Sequence, residues 1–121
     1  ELGVSDIHPI LTDHTATRSI KADKITAYMI EAAEQCERLC LPTLHPLTPL
    51  SSLKLDASFS VAMERSDTTG KPTSRILIGP EGGWSESEKQ RFGDTSVTAF
   101  SLGHHILRAE TAAIISLSML L

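Results

Sequence analysis

Two short stretches concentrate the residue types that chemistry needs. The first is Ile76-Leu77-Ile78-Gly79-Pro80-Glu81-Gly82-Gly83-Trp84-Ser85, an apolar run that meets a glycine-rich break. A strand that feeds such a loop and then a helix marks the carboxyl edge of an open α/β sheet, where ligands bind. Glycine lets the backbone approach a ligand closely and take positive φ. The stretch lacks Gly-Lys-Ser/Thr and Gly-x-Gly-x-x-Gly, so it is neither a P-loop nor a dinucleotide fingerprint. Pro80 removes a backbone donor and Glu81 repels phosphate. The loop therefore suits a neutral or cationic ligand better than a pyrophosphate. Taken alone, the same residues also fit a plain strand-to-helix turn.

The second stretch is Leu102-Gly103-His104-His105-Ile106-Leu107-Arg108-Ala109-Glu110-Thr111-Ala112. Here too a strand ends at a glycine, a loop follows and a helix starts. Ile106 and Leu107 are apolar residues in a loop and must cover something. The helix dipole favours Glu110 in the first turn and disfavours Arg108, which suggests a task for that arginine other than stability. A surface ion pair is an equal alternative. Neighbouring side chains on a loop diverge and no third ligand is in view, so His104-His105 is not expected to bind metal.

The elements that must position these loops follow from periodicity and punctuation. Ile7 to Leu11 reads as a strand. Ile25, Tyr28, Met29, Ala32, Ala33, Cys36 and Cys40 recur at helical steps, and the helix is expected to end at Leu41-Pro42. On that helix Cys36 and Cys40 would share a face as small buried residues; they are too few for a disulfide framework or a zinc site. Ala57–Met63 is a second strand, Asp67–Pro72 a turn-rich loop, and Arg75–Ile78 the expected central strand. Ser85 and Glu88 form a capping-box pattern. Val97–Leu102 is the next strand. A nearly all-apolar helix from Arg108 or Ala109 onward belongs in a core or a subunit interface. Strands alternating with helices argue for an α/β fold, a mostly parallel sheet with helices on both faces.

At 121 residues the chain fits one domain, residues 1–121. Glu1-Leu2-Gly3-Val4 reads as the middle of a folded unit, so an N-terminal region is expected upstream. No apolar run is long enough to span a membrane and no signal peptide is visible. Net charge is −4, with 15 acidic and 11 basic residues, the wrong sign for a stand-alone nucleic-acid binder.

Together, Ile78-Gly-Pro-Glu-Gly-Gly-Trp-Ser85 and Leu102-Gly-His-His-Ile-Leu-Arg-Ala-Glu-Thr-Ala112 resemble the two signature segments of RsmE-type ribosomal RNA methyltransferases of the SPOUT superfamily. Glu1-Leu-Gly-Val4, Glu31-Ala-Ala-Glu-Gln35, Arg38 and Pro42 fall in matching order, so the likeness spans nearly the whole chain. The resemblance implies a C-terminal deep trefoil knot and S-adenosylmethionine held in it. The cofactor residues it implies are Ile78, Gly79, Pro80, Glu81, Gly82 and Gly83 on one loop, and Leu102, Gly103, Ile106, Leu107, Arg108, Thr111 and Ala112 on the other. It further implies a homodimer through the last helix, a cytoplasmic enzyme, and an N-terminal RNA-binding barrel domain. That domain, absent from these residues, would supply the basic surface for ribosomal RNA.

The implied reaction is methylation of uridine N3 in small-subunit ribosomal RNA. Orientation supplies much of the acceleration, and a base or a cation beside the developing uridine anion adds more. Arg108 is expected to be that cation, Glu81 to shape the cofactor loop and balance the sulfonium, and Glu110 to accept the proton. A methyltransferase for another RNA and a silent dimeric cofactor-binding module are the alternative readings. The chain departs from the family where His14 and His105 replace arginines, where Trp84 replaces phenylalanine, and where the helix around residues 20–35 is about two turns short. Histidine is mostly neutral at pH 7, so up to two cationic contacts are lost, with Thr17-Arg18-Ser19 a candidate shifted equivalent of the segment around His14.

Overall fold

A computed structural model describes residues Glu1–Leu121. Every strand pair in it is parallel, in three groups. β1 (Asp6–Ile7) pairs with β3 (Thr43–Leu44), and β2 (Ile10–Leu11) pairs with β4 (Thr48–Pro49). The expected strand over Ile7–Leu11 is thus broken in two, because Pro9 between the halves has no N–H to give a ladder. The third group has β5 (Phe59–Met63) between β6 (Arg75–Leu77) and β7 (Thr98–Ser101). The central strand is therefore β5, and Arg75–Leu77 lies at one edge.

Three helices complete the α/β fold. α1 (Ala22–Gln35) stops well short of Leu41-Pro42. Glu37 turns left-handed (φ 59°), its N–H bonds Glu34 O, and the Arg38 N–H bonds Ala33 O at 2.9 Å. These crossed bonds are a Schellman closure, and they end the helix before proline matters. Cys36 is consequently the C-cap and half-buried, while Cys40 lies beyond the helix and is exposed; the shared buried face does not form. α2 (Glu86–Asp94) starts with the capping box that Ser85 and Glu88 announce. α3 (Ala109–Ser118) follows Arg108, its N-cap residue.

The core is small and sits behind β5. Leu50, Leu55, Val61, Leu77, Trp84 and Phe92 form one buried cluster, with the Trp84 and Phe92 rings edge to face at 5.0 Å. Ser60 is fully buried yet satisfied, accepting the Thr73 N–H at 2.9 Å. α3 does not join this core. Ile114, Ile115, Met119, Leu120 and Leu121 are all exposed, and the one buried residue of α3 is Ser116, whose hydroxyl donates to Ala112 O.

The segment between β5 and β6 takes an indirect path. Thr69 bridges Phe100 of β7 before the chain returns to form β6 on the far side of β5. Gly70 makes that crossing feasible: a Cβ there would lie 2.2 Å from Ala99 O and 2.9 Å from Thr98 Cγ2. Gly70→Ala should therefore push the crossing off β7 and cost about 1–3 kcal/mol, read as a lower urea midpoint with an unchanged slope.

Candidate functional site

Because β5, β6 and β7 run parallel, their carboxyl ends lie at one edge of the sheet. The two glycine-bearing loops leave from that edge, and between them lies a cleft with ≈ 590 Å³ of free space counted to its mouth. Its lining is mostly apolar. Glu64 and His105 are its only ionisable side chains, and neither lysine nor arginine lines it.

Local packing explains the shape of the first loop. A Cβ on Gly79 would touch the Trp84 ring at 3.0 Å, and Trp84 is itself fixed by an N–H bond from Nε1 to Ala62 O at 3.2 Å. Gly83 takes φ +71° and donates its N–H to Pro80 O. From outside the cleft His14 clasps this turn, with Nδ1 2.9 Å from Gly82 O and 3.1 Å from Gly83 O. Both partners are carbonyls, so Nδ1 carries the proton. Gly82 leaves room for the clasp, since a Cβ there would lie 2.9 Å from His14 Cβ.

The residues around His14 are tied to α2 as well. Buried Glu88 accepts the Asp13 N–H at 2.7 Å and the Ser85 N–H at 2.9 Å. Ser85 Oγ donates to Asp13 Oδ2 at 2.5 Å. That hydroxyl, with help from Ser87, holds the Asp13 carboxyl below its usual range. A carboxyl depressed on folding stabilises the fold above its unfolded pKa of about 3.9 and loses that contribution as pH falls through the folded value. Asp13→Asn should accordingly flatten the acid limb of the stability curve below about pH 4, as followed by circular dichroism against pH.

In the second loop Gly103 takes φ +107°. Leu107 turns into the cleft and Ile106 stays outside it, 56% exposed. Arg108 and Glu110 are exposed at the start of α3. They form no ion pair; the two side-chain pairs present are His45–Asp6 and Lys89–Glu86. The alternative of a surface ion pair is therefore not realised, and the arginine has no carboxylate partner.

A family model described as an RNA methyltransferase domain matches residues 1–121. The chain belongs to that family. Among curated relatives, ribosomal RNA small subunit methyltransferase E of Rickettsia conorii is 32% identical over 137 positions, covering 98% of this chain and 54% of the relative. The Synechocystis protein of the same name is 31% identical, covering 99% and 45%. Among solved structures, a probable rRNA methyltransferase from Porphyromonas gingivalis superposes with a TM-score of 0.83 at 26% identity, over 98% of this chain and 56% of that one. A putative methyltransferase from Legionella pneumophila in complex with the cofactor SAM gives 0.70 at 30% identity, over 98% and 55%. Methyltransferase E from Neisseria gonorrhoeae, bound to S-adenosyl methionine, gives 0.73 at 27%, over 97% and 54%. The chain thus spans about half the length of the relatives it matches. The Rickettsia alignment, at 137 positions against 121 residues, also leaves at least 16 positions there without a counterpart here.

Within this RNA methyltransferase domain, the cleft brings together Ile78, Gly79, Pro80 and Gly83 from the first loop and Leu102, Gly103, Leu107 and Ala112 from the second. Glu81, Gly82, Ile106, Arg108 and Thr111 fall outside its lining. Glu81 and Gly82 are on the exposed rim, Gly82 directed to His14. Sequence reasoning missed Ala62, Met63 and Glu64, at the carboxyl end of β5. Strand polarity was the signal available for them, once β5 is recognised as central. Trp84 and His105, named above as departures from the family pattern, also line the cleft.

Proposed function

We propose that this chain is the methyl-transferring part of a cytoplasmic, S-adenosylmethionine-dependent enzyme that methylates N3 of a uridine in small-subunit ribosomal RNA. The observation that carries the reading is the cleft: apolar, at the carboxyl ends of three parallel strands, with one carboxylate and no lysine or arginine. Such a donor set suits an adenosine carrying a positive sulfonium and disfavours a phosphate. The Legionella and Neisseria relatives, both holding this cofactor, support the choice.

When bound, the cofactor supplies an electrophilic methyl group on sulfur. Leu102, Gly103 and Leu107 would hold the adenine, with Ile106 covering it from the rim, while Ile78, Gly79, Pro80 and Gly83 form the opposite wall. Glu64, the carboxylate inside the cleft, balances the sulfonium in place of Glu81, which shapes the loop rim. Arg108 would steady the negative charge that develops on the uridine ring as N3 gives up its proton, and Glu110 would receive that proton. The freedom of Arg108 from any carboxylate supports that role.

Two larger features belong to the same reading. The crossing of residues 64–74 over β7 supports a threaded C-terminal arrangement, the trefoil knot, in which both loops are locked around the cofactor. The exposed apolar residues of α3 support a homodimer built on that helix. Net charge of −4 and the half-length match support an RNA grip that comes largely from outside residues 1–121.

Calorimetry with S-adenosylmethionine on this chain tests the cofactor half, with a dissociation constant expected in the roughly 1 μM to 1 mM range of enzyme substrates. Methyl transfer to small-subunit ribosomal RNA, mapped by mass spectrometry, tests the rest. The chain alone should bind cofactor and transfer methyl slowly. Absence of cofactor binding sinks the reading, and rapid transfer by the chain alone overturns its division of labour.

A further inference from the structure

Away from the cleft, β1 and β3 bring together three side chains that the methyl-transfer reading leaves unused. Their parallel register sets Asp6 opposite Thr43 and Ile7 opposite Leu44, so the next pair along is His8 and His45. Alternate residues of a strand share a face, which puts Asp6, His8 and His45 on one side. The backbone carrying them is held by the ladder, with the Thr43 N–H to Ser5 O at 2.8 Å and the His45 N–H to Ile7 O at 2.9 Å. His45 Nε2 lies 2.8 Å from Asp6 Oδ1. The His8 and His45 rings stack, centroids 3.8 Å apart and 9° from parallel. One donor atom from each of the three residues lies within 4.8 Å of the others.

We propose that Asp6, His8 and His45 form a binding site for a first-row divalent cation of the zinc type. An ordinary ion pair accounts for Asp6 and His45 but leaves His8 unexplained, since its ring takes no part in that hydrogen bond. Two imidazoles and one carboxylate are a borderline donor set, matched to zinc, cobalt, nickel or copper rather than to magnesium or calcium, which prefer all-oxygen ligands. Three protein ligands leave a fourth position for water. Tetrahedral bonds of roughly 2.0–2.1 Å place donors about 3.4 Å apart. The Asp6–His45 gap must therefore widen a little and the His8 nitrogen must swing inward. Both movements are open to these side chains: Asp6 and His8 are exposed, His45 is half-buried, and histidine χ2 is a broad torsion. The bound ion would cross-link β1 to β3 and close the α1-bearing segment between residues 8 and 45 into a loop. The site is independent of the methyl-transfer reading and stands or falls without it.

Zinc chloride titrated into the chain by calorimetry, in a buffer that does not chelate, tests the site. One ion per chain is expected, with a dissociation constant in the micromolar range and a rise in melting temperature on addition of zinc. His8→Gln and His45→Asn should each weaken uptake at least about tenfold. The Cys36→Ser/Cys40→Ser and His104→Gln/His105→Gln double variants should bind as the parent does. In long-range ¹H–¹⁵N spectra, the ring signals of His8 and His45 should move first. No uptake at about 100 μM zinc, or uptake unchanged in His8→Gln and His45→Asn variants shown to fold by circular dichroism, overturns the proposal. So does uptake lost in the cysteine or His104/His105 variants instead.

Discussion

Replacing Arg108 with alanine in the full-length enzyme should lower methyl transfer by about 10²–10³-fold, the scale seen when one preorganised stabiliser of developing charge is removed. Cofactor affinity should change little, because Arg108 lies outside the cleft lining and pairs with no carboxylate. The split follows from position. Arg108 is the N-cap residue of α3 with an exposed side chain, directly after Leu107, which lines the cleft. Single-turnover rates at saturating cofactor, set beside calorimetric binding of the same variant, separate the two effects. Equal turnover by parent and variant would remove Arg108 from the chemistry, and parallel loss of binding would make it a cofactor ligand.

The second large effect concerns stability. Trp84→Ala should cost about 3–5 kcal/mol, a large share of the 5–15 kcal/mol that holds a typical domain together. The indole joins three parts of the molecule: it packs on Phe92 of α2, bonds Ala62 O of β5 through Nε1, and fills the space beside Gly79. With a cluster of only six buried residues at the core, little else can take over. Trp84→Phe keeps an aromatic body against Phe92 and gives up the hydrogen bond, for a loss of about 1 kcal/mol. Urea unfolding of the two variants should therefore separate them clearly. If the alanine variant proved as stable as the phenylalanine one, the assignment of this ring as the core's keystone would fail.

Local signals in the sequence were the ones that survived. Ser85 and Glu88 form their capping box because both partners lie within one turn, and each glycine-bearing loop starts where an apolar run stops. What the sequence hid was relational. The central position of β5 depends on which strands pair, and Arg75–Leu77 looks equally apolar at an edge. The end of α1 depends on Glu37 entering a left-handed conformation, which no glycine advertised. Glu64 entered the cleft lining only through strand polarity. His8 and His45 are far apart in sequence and meet only through the register of two short strands. At His14 an expected loss proved a substitution of roles: where an arginine would offer charge, the imidazole binds the Gly82–Gly83 turn.

That clasp has a kinetic consequence. A wall pinned from behind by His14, and through Asp13 and Glu88 to the start of α2, cannot swing aside alone. Residues 12–15 must let go first. Any exchange of the cleft's occupant that needs this wall to move then follows the breathing frequency of that segment, a local opening whose free energy lies below that of global unfolding. A change at position 14 would thus alter residence time while leaving every atom that faces the ligand in place.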